Sequence, residues 1–123
     1  MNIHQYIQEN RMLNKEAEGG DYVYVFFNPT TKLFKIGQTT RIKTRLQELS
    51  NQNGIQLIEF LSCWTDGAFY ESAGWIEHAL HKWFDSKRMK GEWFNLSKWD
   101  AVRLTLLFRD AFECEFDYLA DYK

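Results

Sequence analysis

"YVYVFFNPTTKLFKIG", residues 22–37, is the stretch that decides the fold. Its first six residues are all β-branched or aromatic, a composition that suits a pleated, packed surface. "NPTTK" then supplies turn chemistry, with Pro29 at a natural second turn position, and "LFKIG" resumes an extended pattern. The stretch predicts a β-hairpin. Tyr22 and Tyr24 alternate with Val23 and Val25, which puts both tyrosines on one face of the first strand.

Working outward, Thr39 or Thr40 is placed to cap a helix whose Ile42, Leu46 and Leu49 fall on one face, with Arg41, Lys43, Arg45 and Glu48 off that stripe. "NQNG" (51–54) should end it. "IQLIEFLSCW" (55–64) predicts a third strand, and "AFYESAGWIEHALHKWF" (68–84) is the clearest helix, with Ile76, Leu80 and Trp83 or Phe84 as its core stripe. A basic turn, "SKRMKG", leads to "EWFNL". Ser97 with Asp100 three residues later then forms a capping-box-like start for "KWDAVRLTLLFRDAF". Before the hairpin, "NIHQYIQENRML" has helix-like apolar spacing, closed by the turn signal "EAEGG". The order predicts an α+β domain, a small three-stranded antiparallel sheet flanked by helices, with short helical extensions at both ends.

The 123 residues suffice for one compact unit without a disulfide or metal to hold it. No apolar run reaches the length of a membrane span, and the first residues lack the apolar core of a signal peptide, so the expected setting is cytoplasmic, with no membrane. Cys63 and Cys114 show no metal-ligand spacing and read as reduced packing residues. The spacing of Trp64, Trp75, Trp93 and Trp99 assigns them to the core.

The formal net charge of -2 hides an uneven distribution. Residues 1–21 and 110–123 together hold 3 of the 15 basic and 9 of the 17 acidic side chains, leaving 12 against 8 between them. Within "LFKIGQTTRIKTRLQEL" (33–49) no acid occurs before Glu48. Lys32, Arg41 and Lys43, with Lys87, Arg88 and Lys90 of "KRMK", are natural phosphate contacts and make DNA the expected partner.

Taken singly, the other candidates have ordinary structural readings: a strand tyrosine, a solvated lysine, a surface Glu/His pair at helical spacing. Metal-assisted phosphodiester hydrolysis nevertheless needs a carboxylate for a hard cation, a base for the attacking water, and cations against the charge of the transition state. Glu77, a tyrosine, Lys35 and Arg45 make up that set.

Their order and intervals carry a resemblance. "YVY", then "KIG" beginning eleven residues after Tyr24, Arg45 eight residues after Gly37, "EHALH" as E-x-x-L-H, and "EWFNL" together resemble the GIY-YIG endonuclease superfamily. They are most similar to the branch common in phage and mobile-element proteins. The resemblance runs from about residue 20 to residue 96, dividing the chain into an N-terminal helical extension (1–19), a nuclease module (20–96), and a C-terminal helix with an acidic tail (97–123). It implies that Tyr24 deprotonates the attacking water and that Arg45 contacts the scissile phosphate. It also implies that Glu77 binds Mg²⁺ or Mn²⁺, and that Lys35 occupies the place of a signature tyrosine. Asn95 matches an asparagine near the end of the module.

Two departures matter. Tyr22 stands where glycine is expected, and Gln38, next to the signature glycine, stands near where some members carry a relay histidine. A relay here would use water, Tyr22 or His81, and Gln38 joins the residues expected along the nucleic acid. The implied activity is a divalent-metal-dependent DNA endonuclease or nickase that leaves a 5′-phosphate. The alternative is a module that kept the fold and acts by nucleic-acid or protein binding, favoured by the altered signature and the acidic ends. No recognisable helix-turn-helix or zinc finger accompanies the module, so target choice falls to a homodimer, a protein partner or its own loops.

Overall fold

The computed structural model describes residues 22–64 and 73–111; the helix expected near the N-terminus, the first turn of the helix expected from residue 68, and the acidic tail lie outside them. Among the described residues, five antiparallel strands form one sheet in the order β3-β1-β2-β5-β4. They are β1 (Tyr22–Phe27), β2 (Phe34–Thr39), β3 (Ile58–Trp64), β4 (Arg88–Lys90) and β5 (Trp93–Phe94). The described residues also form the α-helices α1 (Ile42–Asn53), α2 (Ala73–Trp83) and α3 (Lys98–Ala111), which cover it. The α+β class is as expected, but the sheet has two strands more than the three predicted. "RMK" and "WF" are too short and too charged to show an alternating pattern, and they pair across a turn where Gly91 takes φ +56°.

The hairpin predicted over residues 22–37 is present, in the register Tyr24↔Gly37 and Phe26↔Lys35. Its turn is built mainly by the buried Asn28, whose Oδ1 accepts the N–H groups of Thr30 and Thr31 at 2.9 and 3.2 Å. Lys32 closes it in the left-handed region at φ 64°.

β1 is covered on both faces, which is why it reads as continuously apolar. Val23 and Val25 join Ile36, Leu61, Trp75, Leu80 and Phe108 in the core under α2 and α3. Tyr24 and Phe26 stack on each other at 4.0 Å between ring centroids and pack with Leu49 and Leu57 in a second core under α1. Each fully buried large side chain contributes about 1.5–3 kcal/mol. β2 repeats this division, with Phe34 and Ile36 in the first core. Its other face carries Lys35, Gly37 and Thr39, none of them the bulky apolar residue usual in a doubly covered strand.

α1 begins one residue later than a threonine cap would place it: its N-cap is Arg41, without a side-chain cap, and Thr39 Oγ1 accepts the Arg41 N–H at 3.1 Å. Gly54, at φ 67°, ends it as expected. The third strand starts at Ile58 rather than 55, because Ser50 holds the preceding residues: its carbonyl accepts from Ile55 N–H and its hydroxyl from Leu57 N–H. The capping box of α3 is present, with Asp100 N–H donating to Ser97 Oγ at 3.1 Å and Ser97 N–H to Asp100 Oδ2 at 2.9 Å.

One packing expectation needs correction. Trp75 is wholly buried, but Trp64 and Trp99 are 57% and 73% exposed. Cys63 is buried in the first core, and Cys114 lies outside the described residues.

Candidate active site

The site forms where the short β5 leaves β2 uncovered. On the β2 side, β5 pairs with Phe34 and Lys35, and Ile36 N–H makes one more bond, to the Glu92 carbonyl at 3.2 Å. Side chains from both faces of the sheet meet at this margin.

From the α1 side come Tyr24, Lys35 and Arg45. Tyr24 is 1% exposed, and its phenol lies over Gly37, where an added Cβ would sit 2.3 Å from the phenol oxygen. The absence of a side chain at residue 37 is thus explained by the tyrosine opposite it in the β ladder. Burial pushes the Tyr24 phenol up to about 12, against a hydrogen bond and charge from Arg45 that favour the phenolate; the charges of Glu92 and Glu77 add to the upward push. Lys35 is 7% exposed, with Nζ 3.4 Å from Glu92 Oε1 and 5.7 Å from the centre of the Trp93 ring.

From α2 come Glu77 and His81, one turn apart. His81 Nε2 lies 2.7 Å from the Ile36 carbonyl oxygen, 3.8 Å from Glu77 Oε1 and 3.7 Å from Glu92 Oε2. Burial, then the charge of Glu92, raise the Glu77 carboxyl to about 7, with Lys35 opposing them. Burial also lowers His81, against the Ile36 hydrogen bond and the charge of Glu92.

Glu92 arrives from the turn between β4 and β5. Sequence reasoning missed it: it is the first residue of "EWFNL", but the cations of the preceding turn drew attention away from it. One ligand atom from each of Glu77, His81 and Glu92 lies within 4.8 Å of the others. The donor chemistry fits a hard divalent cation, since two carboxylates stand close together in a partly buried place.

Tyr24, Lys35, Arg45, Glu77 and His81 are therefore brought together. Tyr22 is half-buried on the same strand face as Tyr24, opposite Thr39 and Trp64. Asn95 is exposed beyond Phe94, at the end of β5 away from Glu92, with its N–H bonded to the Lys87 carbonyl. It does not join the cluster.

The expected phosphate contacts divide into two sets. Lys32, Arg41, Lys43 and Lys90 are exposed, and Lys90 lines a cleft with Lys35, Glu92, Trp93 and Asn53. Lys87 instead pairs with Asp100 at the start of α3. Arg88 pairs with Asp85 at 3.2 Å and lies over the Phe94 ring at 4.9 Å. Gln38 is half-buried at the end of β2.

Carboxylates, a phenol and cations thus gather at one margin of the sheet of an α+β domain. Residues 21–108 match the T5orf172 domain, and the chain belongs to that nuclease-related family. No curated protein and no solved structure matches the chain. Among the described residues, no helix is long and apolar enough to cross a membrane.

Proposed function

We propose that the chain is a GIY-YIG-type, divalent-metal-dependent DNA endonuclease or nickase. The observation that carries the reading is the convergence of the Tyr24–Arg45 pair and Lys35 on the Glu77–Glu92 carboxylates. In the reaction, the oxygen of a water forms a bond to phosphorus, the bond to the 3′ oxygen breaks, the departing 3′ oxyanion takes a proton from solvent, and a 5′-phosphate and a 3′-hydroxyl are left. Tyr24, as phenolate, takes the water's proton. Arg45 holds the phenolate form and contacts the phosphate. Lys35 places a second positive charge beside the non-bridging oxygens, where losing one preorganised contact costs on the order of 3 kcal/mol, about a hundredfold in rate.

Glu77 and Glu92 would hold Mg²⁺ or Mn²⁺, which supplies Lewis-acid stabilisation of phosphate charge when bound. Compensating these two carboxylates also removes their share of the upward push on Tyr24. The exposed Lys32, Arg41, Lys43 and Lys90 would run along the DNA backbone, and a second copy or a protein partner would supply target specificity.

The test is plasmid nicking with Mg²⁺ or Mn²⁺ by the wild type, Glu77→Ala and Arg45→Ala. We expect cleavage by the wild type alone. The Tyr24 phenol, pushed by burial up to a pKa of about 12, favours a second reading, a binding module without efficient catalysis; salt-sensitive DNA binding without nicking by the wild type would decide for it.

A further inference from the structure

We propose that His81 is a positioning residue: its Nε2–H ties α2 to the open margin of β2, which takes that nitrogen out of both base and metal-ligand roles and fixes where Glu77 stands.

The argument begins with the acceptor. His81 Nε2 is 2.7 Å from the Ile36 carbonyl oxygen, and a peptide carbonyl has no hydrogen to give, so Nε2 must carry the hydrogen. This holds for the neutral ring and the imidazolium alike, so the assignment does not depend on the state of charge. A nitrogen that donates has no lone pair for a metal ion or for a proton from water. The two carboxylates lie 3.7 and 3.8 Å from the same nitrogen, too far to compete with the carbonyl.

The acceptor's place in the sheet explains why such a tie is needed. Ile36 bonds beside β5 through its N–H to the Glu92 carbonyl. Its carbonyl lies past the end of the β5 ladder, and His81 serves as the partner a longer strand would have provided. The ring is held edge-on to Phe94, at 5.2 Å and 60°, and its side chain is only 14% exposed. Glu77 precedes it by one helical turn on the same face of α2. Any sliding or rotation of α2 that released His81 would carry the Glu77 carboxyl away from Lys35 and Glu92.

The inference rests on the nuclease reading only for what Glu77 does once placed. Its test therefore begins with a measurement that needs no cleavage. Long-range ¹H–¹⁵N spectra of the folded chain, with His81 assigned by its loss in His81→Gln, should show Nε2 protonated, and unchanged on saturation with Mg²⁺. Loss of that proton, or a metal-bound signature at Nε2, would overturn the proposal.

Mg²⁺ affinity by calorimetry gives the second readout. His81→Gln can place an amide N–H near the same carbonyl and should bind within about threefold of the wild type. His81→Ala should lose about 10–100-fold, as is usual when a residue orienting a ligand is removed. Equal losses in both variants, with circular dichroism showing both folded, would sink the idea. If the wild type cleaves no DNA, the nuclease reading fails while the spectra and the affinities still decide the role of His81.

Discussion

The Tyr24 phenol occupies the space that a side chain at Gly37 would need, since an added Cβ would lie 2.3 Å from its oxygen and 2.5 Å from Cζ. Tyr24 cannot swing aside, because its ring is stacked on Phe26 and almost wholly buried. We expect Gly37→Ala to destabilise the fold by about 2 kcal/mol in urea unfolding, the usual scale for overpacking, and to abolish nicking. In a Tyr24→Ala background the same change should cost little. Additive losses in the double-mutant cycle would show that the two residues are not coupled in this way.

Glu77 gives stability a dependence on pH with a definite sign. Its carboxyl sits at about 7 in the folded chain, above its ordinary 4.5, so the folded state holds the extra proton between those values. Stability falls as pH rises through that window, by on the order of 3 kcal/mol. His81 works in the opposite sense and at lower pH: its lowered value costs stability as pH falls below about 6.5. Comparing Glu77→Gln with the wild type isolates the first effect. Without metal at pH 8, Glu77→Gln should melt several degrees higher. Adding Mg²⁺ should raise the melting temperature of the wild type and leave the variant unmoved.

Asp100 provides a stability test remote from the site. Burial alone would raise its carboxyl, but hydrogen bonds from Lys87 and Ser97 outweigh it and hold the group below its ordinary value. Its contribution is present at neutral pH and is lost as pH falls through that lowered value. Asp100→Ala removes half of the capping box and leaves Lys87 unpaired, so a loss of about 1–2 kcal/mol is expected. Nicking by the folded fraction should not change; a matching fall in specific activity would contradict the separation of this cap from the chemistry.

Exposed cations away from the cluster should govern affinity. Replacing Lys43 and Lys90 by glutamine should weaken DNA binding about equally on unrelated sequences and flatten the slope of log affinity against log salt by nearly 2. An unaltered slope would remove these residues from the backbone path. Lys87 is the natural control, since its ammonium is already paired with Asp100.

What could be read from the sequence follows the range of the forces involved. β1 is apolar on both faces and announces itself; α1 shows its stripe and its glycine stop; the α3 capping box is a matter of two residues three apart. β4 and β5 could not be read, because two and three residues are too few for a period of two to appear, and their pairing depends on β2 already being in place. Glu92 was hidden for the same reason. Its position relative to Glu77 is a property of the hairpin turn, not of spacing along the chain. The partner of His81 is a backbone carbonyl on another strand, which no side-chain pattern records, so E-x-x-L-H naturally reads as a metal or proton pair.

The three residues of β4 have a bearing on solubility as well as on DNA. They form one outer edge of the sheet, they are exposed, and two of them are Arg88 and Lys90. An outer strand offers unpaired peptide groups to any other extended chain, and charged side chains on it discourage such stacking. Apolar replacements there would open a route to aggregation that could be mistaken for lost DNA binding. Polar or acidic replacements keep the edge guarded and should be preferred.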